Sequence, residues 1–373
     1  MRISRRGAIA GAFGVGATLV YADAFGANRG TLGDAAEHHG RFFGCAGHID
    51  QWNAEQDLRD AVLAETDYLV PEVELKWAAI EPVQGQLSFK ALDGFMNFAV
   101  RNRKRVRGHT LLWHESVPAW AQALLRERRD WGVISEYLVS VVPRYARVID
   151  QWDVVNEPID TGRRADGLRD NIFLEVFGPD YIPRAFAQAR ALAPDAKLML
   201  NEYGLEYDLP EERDRRYLLL KLIERLRSRG APLDGLGIQS HLDLRKGSIS
   251  ATAVAAFLKA VADMGLFIVV TELDVKEADY IAPVDQRDRF VADEVRRYLE
   301  TVLQERAVTG VVTWGLCDRH SWLKVTPEDF ARFPGAWANG GGPGLNRGLP
   351  LNATMERKPV YFAVRDQLGI QLR

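Results

Sequence analysis

Cysteine is scarce in this chain: Cys45 and Cys317 are the only two in 373 residues. Two thiols make neither a disulfide framework nor a Cys/His metal cluster. Both lie in or just past segments that read as strands, so two buried thiols is the simpler reading, and whether they meet stays open. An excess of one charge is also missing. Lys and Arg total 48 against 51 Asp and Glu, a net −3, which leaves no basic footprint for nucleic acid. The body of the chain has no glycine-rich phosphate turn after an early strand, as an open dinucleotide-binding sheet would need. The glycines between 11 and 16 fall in the N-terminal segment instead. Internal repeats and an interdomain linker are absent too. With 47% hydrophobic and 27% charged residues, the chain reads as a soluble globular protein. Its length suits one large α/β barrel or two ordinary domains.

Residues 1–24 stand apart. A basic start precedes an apolar run from Ala8 to Tyr21, and Ala22-Asp23-Ala24 supplies a small-x-small cleavage site. That is the plan of a signal peptide, and the apolar run is too short for a membrane span. Ser4-Arg5-Arg6 before the run is similar to a twin-arginine export signal; an ordinary secretory signal is the alternative. Cleavage after Ala24 removes three Arg and one Asp and takes the net charge from −3 to −5. The expectation is an exported protein, periplasmic or secreted, with no membrane segment in its mature form, residues 25–373.

Strand-like runs then recur at 42–46, 68–70, 106–111, 148–155, 197–201, 236–239, 267–271 and 308–314. Between them, stretches such as 213–229 and 253–264 place apolar residues three and four apart, as helices do. Alternating strands and helices on this scale predict an α/β fold, a single (β/α)₈ TIM barrel with long βα loops. A basic run, 101–105, precedes the third strand and reads as a solvated helix end. The segment 324–347, with Phe330, Phe333, Trp337 and five glycines, reads as a long loop on the active face.

Two strands end alike. Gln151-Trp152-Asp153-Val154-Val155-Asn156-Glu157 stops at Pro158, which removes a ladder donor. Phe267-Ile268-Val269-Val270-Thr271-Glu272-Leu273-Asp274 is almost wholly apolar until its carboxylates. In a barrel, strand C-terminal tips carry the chemistry. Two carboxyl groups flanking one bond, one protonated and one ionised, are the requirement for glycoside hydrolysis. Asp274 follows Glu272 by two positions and so shares its face of an extended chain. With His241, just past the sixth strand, it would form a network that keeps Glu272 ionised and fixed; a satisfied loop or core histidine is the alternative reading of His241. Asn156 is placed to donate to a sugar 2-hydroxyl. Trp113, Trp314 and Trp322, at or beyond strand ends, offer faces for sugars. On spacing alone each glutamate is equally a cap or an ion-pair partner.

The same segments, taken together, resemble glycoside hydrolase family 10, the endo-β-1,4-xylanase family, from about Phe42 to the C-terminus. The Trp152–Glu157 segment resembles its acid/base motif and Thr271-Glu272-Leu273-Asp274 its nucleophile motif, which implies a retaining mechanism with Glu157 and Glu272 as the catalytic pair. Asn156, His241 and Asp274 support them. Gln239-Ser240-His241-Leu242 resembles the segment whose His bonds the nucleophile. Arg107-Gly108-His109-Thr110-Leu111-Leu112-Trp113-His114 resembles the segment lining the −1 sugar site. By the same resemblance Glu72, Lys76, His109, Trp113, Tyr203, Gln239, Trp314 and Trp322 bind substrate. Lys358-Pro359-Val360-Tyr361 is similar to the family's C-terminal signature. No metal or other cofactor is implied; the partner is a polysaccharide or oligosaccharide, and protein partners are not readable.

Three features depart from the family pattern. Val73 stands where an Asn usually follows Glu72, Ser116 stands where a Gln follows Trp113-His114, and the 324–347 loop is enlarged. Both missing amides normally bond sugar on the glycone side, so the expectation is complete −1 chemistry beside an altered −2 subsite. Xylan hydrolysis is the leading reading. A different β-linked glycan, an exopolysaccharide or a glucan, is the second, and a non-catalytic carbohydrate-binding barrel the third.

Overall fold

Parallel strands separated by helices run through the residues that the computed structural model of this chain describes, 30–278, 280, 282–323 and 346–370. The signal-like segment 1–24 and positions 324–345, with Phe330, Phe333 and Trp337, lie outside them. The fold is that of the unit beginning at Thr31. Its strands are β1 (Phe42–Gly47), β2 (Tyr68–Pro71), β3 (Arg105–Gly108), β4 (Ile149–Asn156), β5 (Lys197–Glu202), β6 (Gly235–Ile238), β7 (His241–Asp243), β8 (Phe267–Lys276) and β9 (Val308–Thr313). Neighbours pair in parallel from β1 to β6; β6 pairs with β8, β8 with β9, and β9 returns to β1. Eight strands thus close a barrel, and the short β7 is an extra strand on the far end of β8.

Helices fill the connections as the apolar spacing predicts. The 213–229 pattern lies in the helix Pro210–Ser228, opened by a proline whose missing N–H is harmless there. The 253–264 pattern lies in Ala251–Asp263, capped by the Ser250 hydroxyl, which accepts the Ala253 N–H. The basic run closes the helix Lys90–Arg101. Arg101 and Arg103 are exposed there, whereas Lys104 donates to the Leu63 and Thr66 carbonyls and Arg105 pairs with Asp150.

Two apolar layers result. Phe42, Ala46, Tyr68, Val70, Met199, Val269, Val312 and Trp314 form one cluster, from alternate positions of the strands. A larger cluster lies between strands and helices, with Val106, Val154, Leu198, Leu236 and Ile268 against helix residues such as Leu138, Phe186 and Leu222. Cys45 and Cys317 are both buried and both free thiols.

Two strands differ from the sequence expectation. β3 ends at Gly108 rather than 111, although the Leu111 and Leu112 N–H groups still reach the Asp153 and Val154 carbonyls. β8 runs five residues past Thr271, to Lys276, because β7 supplies a partner that local pattern does not reveal: His241 lies opposite Asp274, and Asp243 opposite Lys276.

Candidate active site

β4 carries Glu157, and its register is interrupted just before the tip. Asp153 pairs with Met199 and Val155 with Leu200, so Val154 is an inserted bulge residue. Bulges re-aim the side chains beside them. Glu157 itself has φ +55°, a left-handed conformation that costs a residue with a Cβ about 1–3 kcal/mol. The next residue is Pro158, which normally drives its predecessor toward extended backbone. The surroundings therefore hold this turn against local preference. The Glu157 carboxyl accepts at Oε1 from Asn156 Nδ2 and Gln239 Nε2, each at 3.2 Å.

β8 carries Glu272, again at an irregularity. Val270 lies opposite Val311 and Leu273 opposite Thr313, so Thr271 and Glu272 share one residue of β9. The Glu272 carboxylate is buried, with 4% of its surface exposed. Its Oε1 accepts from Asn201 Nδ2 at 2.6 Å and lies 3.9 Å from His109 Nδ1; its Oε2 lies 3.2 Å from His241 Nε2. The other His241 nitrogen is 2.8 Å from Asp274 Oδ1, and Asp274 Oδ2 accepts the Trp322 indole N–H at 2.6 Å. Burial alone raises a carboxyl pKa, but here the His109 ring and the His241 and Asn201 hydrogen bonds outweigh it and hold Glu272 at about 2. Burial likewise pulls His241 down, and Asp274 and Glu272 outweigh it, leaving His241 well above its ordinary value. Both His241 ring nitrogens thus face carboxyl oxygens, one of Glu272 and one of Asp274.

All the candidate residues line one cleft of about 740 Å³: Glu72, Lys76, His109, Trp113, Asn156, Glu157, Tyr203, Gln239, His241, Glu272, Asp274, Trp314 and Trp322. The Lys76 ammonium lies 4.4 Å from the centre of the Trp113 ring. Burial lowers the Lys76 pKa, against the pull of Glu272, Glu72, Glu157 and Glu115. His109 meets the Trp314 ring edge to face at 5.2 Å and bonds Asp153 Oδ2 at 3.0 Å. Trp322 is 48% exposed, so its ring is available at the rim. Tyr203 receives a hydrogen bond from Arg169 at its hydroxyl, 2.8 Å.

Sequence reasoning missed part of the support. Asn201 donates to both Asn156 Oδ1, at 2.9 Å, and Glu272, so it ties the two glutamates' surroundings together. Its place at the end of β5 was a usable signal, since tips are where such residues sit. Asp153 and Arg107 form a fully buried pair at 2.7 Å beneath His109. A charge inside an apolar strand was the sign there. Glu115, Leu242, Asp243, Lys246, Lys276 and Leu323 also line the cleft.

The two replaced amide positions are not equivalent in space. Val73 is 41% exposed and borders a neighbouring hollow of about 380 Å³ with His48 and Glu74. His48 lies 3.4 Å from Glu72 and is the partner on that side. Ser116 is buried behind Trp113, whose carbonyl accepts its hydroxyl at 3.3 Å, and it does not line the cleft. A serine is too short to reach past the Trp113 backbone. No group of three or more His, Cys, Asp or Glu among the described residues could hold a metal, and none of their helices is long and apolar enough to cross a membrane.

Residues 31–367 match the model of glycosyl hydrolase family 10. Endo-1,4-β-xylanase 1 of Humicola insolens is 32% identical over 334 residues, 88% of this chain and 72% of that protein. Among solved structures, native xylanase 10B from Thermotoga maritima superposes with a TM-score of 0.77 at 26% identity, over 91% of this chain and 98% of its own. Xylanase 10B from Thermotoga petrophila RKU-1, solved with xylobiose, superposes with a TM-score of 0.76 at 26% identity, over 92% and 98%.

Proposed function

This chain belongs to glycosyl hydrolase family 10 and is a glycoside hydrolase, and we propose that it is a retaining endo-β-1,4-xylanase with Glu157 as acid/base and Glu272 as nucleophile. The observation that carries the assignment of roles is the asymmetry of the two carboxyls. Glu272 is buried, bonded by His241 and Asn201, and held ionised to about pH 2. Glu157 is half-buried on the facing strand, bonded by two neutral amides. An anionic nucleophile and a separate proton carrier are the division of labour that retention requires.

The reaction follows from that division. A β-1,4-xylosidic bond lies across the cleft between the two glutamates. Glu272 attacks the anomeric carbon while Glu157 gives its proton to the departing oxygen, leaving a glycosyl ester on Glu272. Glu157, now a carboxylate, takes a proton from water; the water oxygen attacks the anomeric carbon and Glu272 leaves. Two inversions give net retention. Asn156 Nδ2 turns from Glu157 to the sugar 2-hydroxyl, a bond that strengthens as charge develops on the ring. Trp314 and Trp322 carry the glycone sugar faces, Trp113 lines the −1 site, Tyr203 serves the aglycone side, and Glu72, Lys76, His109 and Gln239 the hydroxyls. The name of the Humicola insolens relative supports endo action on xylan.

Val73 favours a second reading, a retaining hydrolase of another β-linked polysaccharide with a changed −2 subsite. Product analysis decides between them, on xylan, arabinoxylan, mixed-linkage glucan, cellulose and an aryl xylobioside, with Glu272→Ala as control. Xylo-oligosaccharides released only by the intact enzyme support the xylanase. Aryl xylobioside cleavage without attack on xylan selects the second reading. Residues 1–24 support export by the twin-arginine route: replacing Arg5 and Arg6 by Lys should retain the protein in the cytoplasm, and unchanged export would refute that route.

A further inference from the structure

The backbone from Glu157 to Ile159 is held by the end of β5 on one side and by two arginines from outside the sheet on the other. Its polar groups can be followed one by one. The Glu157 N–H donates to the Asn201 carbonyl at 2.8 Å, the one bond of this segment to a strand backbone. The Glu157 carbonyl accepts from Arg169 Nε at 2.9 Å. Pro158 has no N–H, and its carbonyl accepts from the Arg169 backbone N–H at 2.8 Å. The Ile159 N–H donates to Glu202 Oε2 at 2.9 Å. The Ile159 carbonyl accepts twice, from Arg169 Nη2 at 2.9 Å and Arg215 Nη1 at 2.8 Å. Behind the segment, Arg215 Nη1 also lies 3.6 Å from Glu202 Oε1, with both side chains 2% exposed or less.

We propose that Arg169, backed by the buried Glu202–Arg215 pair, is a positioning residue for the acid/base step: it locks the left-handed Glu157-Pro158 turn that aims the Glu157 carboxyl at the glycosidic oxygen. Two independent features point the same way. The turn opposes local preference twice, through the positive φ of Glu157 and through the proline that follows it. A single guanidinium then spans the turn, gripping the carbonyls on both sides of Pro158, and its own backbone N–H takes the carbonyl of Pro158. Arg169 does not line the cleft, so it acts through the residues it holds, the Glu157 turn and the Tyr203 hydroxyl on the aglycone side; loss of the Tyr203 contact falls on both aryl substrates alike, whereas a displaced Glu157 falls on the one that needs a proton. Without it, the turn relaxes toward extended backbone and the carboxyl swings away, whereas Glu272, on β8 with its own partners, stays in place.

The inference rests on the proposed role of Glu157, and leaving groups of different basicity separate the two. A phenyl leaving group needs a proton from the acid; a dinitrophenyl group leaves without one. The test measures kcat/KM of Arg169→Ala, Arg169→Lys and Glu157→Ala on phenyl and 2,4-dinitrophenyl β-xylobiosides. Arg169→Ala should lose about 100-fold on the phenyl substrate, the scale of a displaced catalytic group, and less than about threefold on the dinitrophenyl substrate. Retained cleavage of the activated substrate also reports a folded barrel with a working nucleophile. If Arg169→Ala does not fold, Arg169→Lys carries the test with the same split at smaller size. Equal losses on both substrates, or no loss on either, would overturn the proposal. If Glu157→Ala itself shows no split, the acid/base assignment fails and the positioning role falls with it. A split for Glu157→Ala alone rejects the role of Arg169 and leaves the acid/base in place.

Discussion

Whether a carboxyl attacks or delivers a proton is decided here by what touches it. Glu272 faces His109, His241 and Asn201, and Glu157 faces amides. His241 is the partner whose removal is most informative. Its bond and charge interaction with Glu272 both lower the Glu272 pKa, so deleting the ring must raise it. In His241→Ala the nucleophile then takes up its proton at a higher pH. The acid limb of kcat/KM should move upward by about one pH unit, and a pH–rate profile checks it; an unmoved limb would mean that His109 and Asn201 suffice. Part of this site was legible in the sequence, because Glu272 and Asp274 two apart on a strand, with His241 beyond another strand end, allow the network, and the family resemblance of those segments singles it out. Asn201 carried only the signal of its place at a strand end, and Arg169 carried none. Their roles depend on which strand lies beside which, and on a turn whose backbone sign the sequence does not print.

Among elements, the strands are more irregular than their patterns suggest, and two of the irregularities, before Glu157 on β4 and at Glu272 on β8, fall at the chemistry. Strand-like apolar runs located the strands of the barrel, yet the bulges at Val154 and at Thr271–Glu272 could not be read, since a bulge is a property of two strands in register. The end of β8 was missed for the same reason: β7 creates it. The packing of β5, β6 and β8 at the site turns on Gly237. A Cβ there would collide with Asn201 Oδ1 and meet Thr271 Cγ2 at 2.8 Å. Asn201 Oδ1 already accepts from the Thr271 hydroxyl at 2.7 Å, while its amide holds Glu272. Gly237→Ala should therefore lower the unfolding free energy by about 1–3 kcal/mol and cut kcat/KM by about tenfold or more. Urea unfolding and steady-state kinetics measure the two effects; a stability loss with unchanged kcat/KM would show that Asn201 is not needed where it stands.

For the whole molecule, the question is how a barrel built from sequential strands is closed against fraying. The C-terminal signature answers it. Lys358 is buried, and its ammonium bonds Asp318 at 2.8 Å and the Arg347 carbonyl at 2.6 Å, just beyond β9. In the helix that Lys358 precedes, Pro359–Leu368, the Tyr361 hydroxyl donates to Glu65, which also accepts the Leu32 N–H near the start of the described residues. Both ends of the described chain are thereby tied beside the β1–β9 seam. Lys358→Ala leaves Asp318, whose pKa burial already raises to about 6, buried without the cation that opposes that shift, and should destabilise the protein by about 3–5 kcal/mol, read from denaturant midpoints. A change below about 1 kcal/mol, the range of a surface pair, would show that the contact is incidental to closure.

Catalysis by retention through Glu272 is best tested by trapping the ester. The enzyme is incubated with 2,4-dinitrophenyl 2-deoxy-2-fluoro-β-xylobioside, digested, and its peptides weighed by mass spectrometry. A fluoroxylobiosyl group on Glu272, absent from Glu272→Ala, is the expected result. Turnover of xylobiosides with no adduct, or an adduct on any other residue, would contradict the assignment of Glu272 and with it the division of roles between the two glutamates.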